Sequence, residues 1–163
     1  MSFLPDPLHP ALVHFPIALS LLALGFDLVA RHPRARHWLD GAVALWIAAA
    51  LGAVAAVLTG KAAHEDAVVP AAARALIKQH ESLAELVMWL LLAFAAVRLV
   101  LAFKGWFRGA LAWALIVVAA GLAGLVGYVG HLGGQMVFKH GVGTAPVQRS
   151  LAAPPPAATA GDS

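Results

Sequence analysis

No cysteine occurs anywhere in the 163 residues. Disulfides, thiolate metal sites, iron–sulfur clusters and covalent c-type haem attachment by this chain are thereby excluded. Charge is nearly as scarce. Asp, Glu, Lys and Arg make up 12% of the chain, where a soluble domain carries about 25%. The 11 lysines and arginines are scattered, without a basic block or an aromatic-basic stripe, so nothing resembles a nucleic-acid surface. What fills the chain is apolar: 61% of residues, with mean hydropathy +0.83, against about 45–50% in soluble domains. This is the composition of a membrane protein with one domain. Its surplus is histidine, eight residues that an apolar fold does not need.

A hydrocarbon layer about 30 Å thick takes about 20 helical residues to cross. Four runs have that length. Residues 11–30 are apolar except for His14, Ser20 and Asp27; residues 41–60 carry no charge. The third run, about 84–103, holds only Arg98 from Leu86 onward, and the fourth, about 110–131, is uncharged. Backbone facing lipid must satisfy its own hydrogen bonds, and these runs are too long and too little alternating for barrel strands. The expected fold is an all-α membrane domain over residues 1–144, with four transmembrane helices in an up-down bundle. The connections Arg31–Asp40 and Lys104–Gly109 are short, so the bundle should consist of two αα-hairpins. Between the hairpins Pro70 can open a helix that continues through Ala71–Gln79 into the third span. The stretch Ala145–Ser163, rich in Pro, Ala, Thr and Gly, reads as a disordered tail.

Direction follows from the cations. Arg31, Arg34 and Arg36 directly follow the first span, and Arg98, Lys104 and Arg108 surround the second hairpin's turn. The positive-inside rule puts both turns in the cytoplasm, hence both termini and the long connection in the periplasm of a bacterial inner membrane. Lys61, Arg74, Lys78, Lys139 and Arg149 fall on the other side. Density near the span ends, and Trp38, Trp106 and Trp113 as an interfacial belt, decide for this orientation. No Lys or Arg precedes Arg31, so a cleavable signal with a basic n-region is not expected.

On this topology six histidines share the outer side. His9 and His14 open the first span, His64 follows the second, His80 precedes the third, and His131 ends the fourth with His140 beyond it. Each hairpin carries one histidine at each open end, 50 residues apart in His14 and His64 and 51 in His80 and His131. Ionisable groups at membrane depth mark functional sites by default, and neutral imidazole is the commonest metal ligand. His32 and His37 lie among the arginines of the inner loop and read as solvated. One turn deeper than the outer histidines stand Ala18, Gly60, Ala84 and Gly127, leaving room for a flat cofactor or for close helix contact. Glu65 and Glu81 each follow a histidine, and Glu85 sits a turn beyond Glu81. They read as ligands, as partners of imidazole N–H groups, or as an acidic rim balancing Lys61, Arg74 and Lys78. Asp27 and Arg98 should lie at one depth near the inner face, where an interhelical ion pair is expected; Arg31 is the alternative partner of Asp27 at i,i+4.

Three stretches resemble a family of predicted bacterial membrane proteins, DUF2231: Leu8-His-Pro-Ala-Leu-Val-His-Phe-Pro-Ile-Ala-Leu19, Thr59-Gly60, and Gly130-His-Leu-Gly-Gly-Gln-Met-Val-Phe-Lys-His-Gly-Val-Gly143. The likeness runs from about His9 to Gly143. It implies a four-span membrane domain and, through relatives joined to Rieske-type or cytochrome c-type modules, redox work. His9, His14, His80 and His140 match the family's motif positions best; His64 and His131 stand where the pattern is looser.

Three functions compete on these residues. The first is a b-type-cytochrome-like electron carrier, with haem b clamped by His14 and His80 or by His64 and His131 as diagonal partners near the periplasmic face. It would pass electrons between quinone and a periplasmic Rieske or cytochrome c protein. The second is a Zn or Cu site from the same histidines, with His9, His140, Glu65 and Glu81 as secondary candidates. The third is a non-catalytic membrane subunit or assembly factor, alone or in an oligomer. An electron carrier or redox subunit is expected rather than a stand-alone enzyme. No His-Glu-x-x-His element, nucleophile constellation or phosphate loop is present.

Overall fold

The computed structural model describes residues 8–65 and 69–144, except for the side chains of His64 and Glu65. The expected tail, residues 145–163, lies outside the described residues. Among the described residues five α-helices follow in order: α1 His9–Leu12, α2 His14–Val29, α3 Trp38–Glu65, α4 Arg74–Phe103 and α5 Gly109–His140, with single 3-10 turns at Pro33–Ala35 and Ala71–Ala73. No strand occurs among the described residues. Helix α2 packs against α3 and α5, and α4 against the same two. The result is a square up-down bundle with α2 diagonal to α4 and α3 diagonal to α5.

Among the described residues four stretches are long and apolar enough to cross a membrane: His9–Val29, Trp38–Ala63, Ala71–Phe103 and Gly109–His140, of mean hydropathy 2.0 to 2.5. All four outrun the expected spans at the end where the histidines lie, the first by only two residues. Helix α5, with 32 residues, is about 48 Å long, well beyond the hydrocarbon thickness. Hydropathy marks only the part of a helix that lipid surrounds, whereas the helix continues until something stops it. Here the stop is Gly141. Its φ of +63° is the left-handed cap conformation, and the Val142 N–H reaches back to the Met136 carbonyl at 3.0 Å.

The interior is built from small residues. Ala23, Ala42, Ala49, Ala112 and Ala119 are fully buried, and Trp46 is the largest side chain fully enclosed. Its ring meets Phe94 edge-on at 4.9 Å between centroids. Alanine lets helix backbones approach closely, which is how membrane helices gain packing energy without a hydrophobic driving force between them. Large apolar side chains point outward instead. Leu21, Leu51, Leu58, Trp89, Val117 and Phe138 are more than half exposed, and these helices contact the bilayer through such residues.

At the arginine-rich end Asp27 and Arg98 form the expected interhelical ion pair, each almost fully buried. Trp46 completes it by donating its Nε1–H to Asp27 Oδ2 at 2.9 Å. The Arg98 guanidinium also lies 3.7 Å over the Phe107 ring. Arg31, the alternative partner, sits over Trp113 at 5.1 Å. A carboxylate in this interior needs both hydrogen bonds and a counter-charge. Asp27 has them on α3 and α4, from side chains far away in sequence.

Candidate functional site

The histidine end is shaped by two prolines. Pro16 has no N–H to give to the Leu12 carbonyl, so the helical ladder breaks at Val13 and α1 becomes a separate turn. Pro10 occupies the start of that turn, where a missing donor costs nothing. Gly52 lies beneath Pro16, where a Cβ would come within 3.3 Å of the proline ring. The close approach of α2 to α3 needs that glycine. The turn α1 also packs on α3, and His9, two turns before the buried Pro16, lies on the same face as that proline.

His9 lands on α3 and faces α4. Its Nδ1 lies 2.8 Å from the Ala56 carbonyl. A Cβ on Gly60 would come within 2.9 Å of its Cε1. Across the gap stands His80, buried on α4, its ring centroid 6.4 Å from that of His9 and nearly perpendicular. The Nδ1 of His80 is 3.1 Å from the Val129 carbonyl on α5, and Gly133 gives its ring clearance at 3.4 Å. Carbonyl oxygens only accept, so both Nδ1 atoms carry the proton. In the neutral rings each Nε2 is then the lone-pair nitrogen. Fixing the tautomer by a hydrogen bond from the far nitrogen is how metal-binding imidazoles are commonly prepared.

Of the four expected ligands, three have described side chains, and these three do not converge. His80 is brought inward, but His14 is exposed on α2 and His131 is exposed on α5, against Tyr128 and the Gln135 amide. The partner of His80 is His9, where the sequence pointed to His14. Helical phase explains both departures. Pro16, Ser20, Ala23 and Asp27 are the buried residues of α2. His14 lies two residues before Pro16, about 160° around the helix from it. On α5, Val126 is buried, and His131, five residues on, is rotated about 140° away from it. The side chains of His64 and Glu65 lie outside the described residues. His140 is half-buried at the end of α5, and Glu81 is half-buried beside His80. Among the described residues no group of three or more His, Cys, Asp or Glu is assembled as a metal would require. Lys61 pairs with Glu85 at 2.5 Å between half-exposed groups, so the acidic rim engages a cation through Glu85.

Of the small residues near the histidines, Gly60 is filled by His9 whereas Gly127 has nothing within 4 Å of its Cβ position. Gly60→Ala is expected to push His9 off α3 at a cost of about 1–3 kcal/mol, the usual penalty of overpacking. Gly127→Ala should be neutral or slightly stabilising, since alanine is the better helix former. Thermal unfolding in detergent separates the two; equal melting temperatures would show that His9 does not occupy the Gly60 notch. Sequence offered no sign of the Ala56 and Val129 carbonyls or of Gly133, because backbone acceptors carry no residue signature. Trp46 had one: a single bulky donor within an otherwise small-residue span.

A family model described as Predicted membrane protein (DUF2231) matches residues 5–146. No curated protein and no solved structure matches the chain.

Proposed function

We propose that the chain, which belongs to the DUF2231 family, is a membrane-embedded electron carrier that holds haem b between His9 and His80. The observation that supports this reading is the paired anchoring of the two rings. Each gives its Nδ1–H to the carbonyl of a different helix, leaving two Nε2 lone pairs at the same end of the bundle. Metal–imidazole bonds of about 2.0–2.1 Å limit two rings on one ion to a centroid separation of roughly 6.4 Å. The separation here is 6.4 Å, at that limit. Two imidazoles would be enough to hold a haem iron, while a closed zinc site takes four ligands.

Haem bound there would supply a one-electron couple. The chain's own contribution is the fixed tautomer of both rings, the burial of His80, and glycine clearance at Gly60 and Gly133. The density of arginines at the opposite end supports a periplasmic location for the pair in a bacterial inner membrane. Quinone in the bilayer and a periplasmic Rieske or cytochrome c protein are the partners this location suits.

The test is the visible spectrum of detergent-purified protein expressed with haem and metals supplied, before and after dithionite. A Soret band with a sharpened α band on reduction, and iron near one per chain, is the expected result. A featureless spectrum with stoichiometric zinc or copper would replace haem by the simpler metal site. With neither present, the chain is better read as a non-catalytic membrane subunit.

A further inference from the structure

The end of the bundle opposite the histidines holds two adjoining crevices, of about 100 and 170 Å³. They lie between the α2–α3 and α4–α5 connections and share Arg36, Leu39, Phe107 and Arg108 as walls. Arg98 lines the first and Arg31 the second, so four guanidinium groups line the combined cleft, with Asp40 as its one carboxylate. Arg98 is 2% exposed. Its terminal nitrogen is committed to Asp27, but its Nε is buried without a hydrogen-bond partner, as is Nε of Arg31. Buried guanidinium N–H groups without acceptors are costly, and guanidinium is the side chain best suited to phosphate oxygens. Each crevice has room for several waters or one phosphate-sized group.

Depth identifies the source of that phosphate. Trp38, Trp106 and Trp113 are all exposed around this end, the arrangement of side chains that sit at headgroup level. Leu28, Val29 and Leu111, also exposed, offer an apolar surface beside the cleft for acyl chains. We infer that the cleft framed by Arg31, Arg36, Arg98 and Arg108 is a binding site for the headgroup phosphate of an anionic phospholipid. This assignment is independent of what the histidine end binds.

Native mass spectrometry of the full chain, titrated with phosphatidylglycerol, phosphatidylcholine or sodium phosphate, tests it. Arg36 and Arg108 are exposed, so Arg36→Gln with Arg108→Gln leaves the buried ion pair intact. Phosphatidylglycerol is expected to bind at least about tenfold tighter than phosphatidylcholine, with an affinity that falls as salt rises. Interfacial arginines contribute roughly fivefold each, so the double variant should lose about thirtyfold while its helical circular dichroism is unchanged. Equal affinity for the two lipids, an unaltered double variant, or inorganic phosphate binding as tightly as the lipid would each overturn the assignment.

Discussion

Arg98→Met is expected to destabilise the bundle by about 3–5 kcal/mol, the cost of leaving a buried charge without its partner. The variant leaves Asp27 at 1% exposure with only the Trp46 indole for support. Asp27→Leu should be similarly damaging from the other side, stranding a guanidinium whose remaining neighbour is the Phe107 face. The combined Asp27→Leu, Arg98→Met protein should recover most of the loss, because packed apolar side chains replace a buried pair at little or no cost. A residual deficit of about 1–3 kcal/mol is expected from the orphaned Trp46 N–H; adding Trp46→Phe should remove it. Unfolding in mixed detergent and SDS measures all four variants. Simple additivity of the two single effects would mean that Asp27 and Arg98 are not energetically coupled.

The second large effect concerns the histidines. His80→Ala and His9→Ala should each abolish the reduced α band proposed above, whereas His14→Ala and His131→Ala should retain it in full. The distinction rests on placement: the first two rings meet at 6.4 Å, and the other two are exposed. Added imidazole should restore part of the band in His80→Ala, since truncation there leaves space for a free ligand. Partial restoration also separates ligand loss from misfolding. Bleaching by His14→Ala together with an intact His9→Ala spectrum would reverse the ligand assignment.

Much of this architecture could be read without coordinates. Four apolar runs of crossing length, short turns between them and a proline-opened third helix all follow from residue type alone. The depth match of Asp27 and Arg98 was also legible, since Asp27 is the lone charge of its span and Arg98 the lone charge of the third from Leu86 onward, and a lone charge in lipid needs an opposite one. Helix ends were less legible. Helix α5 runs to His140 because Gly133 and Gly134 do not interrupt its hydrogen-bond ladder, whereas Gly141 adopts the left-handed φ that ends it.

The candidate site divides more sharply. Sequence placed the histidines at one end, because span position fixes depth at about 1.5 Å per residue. It could not choose among them. That choice depends on rotation about each helix axis, which is set by whichever stripe the neighbouring helices cover. It depends also on a notch at Gly60 on α3, shaped to take the His9 ring. Depth is a property of one chain segment and lipid; facing is a property of four segments together, and only the packed bundle decides it.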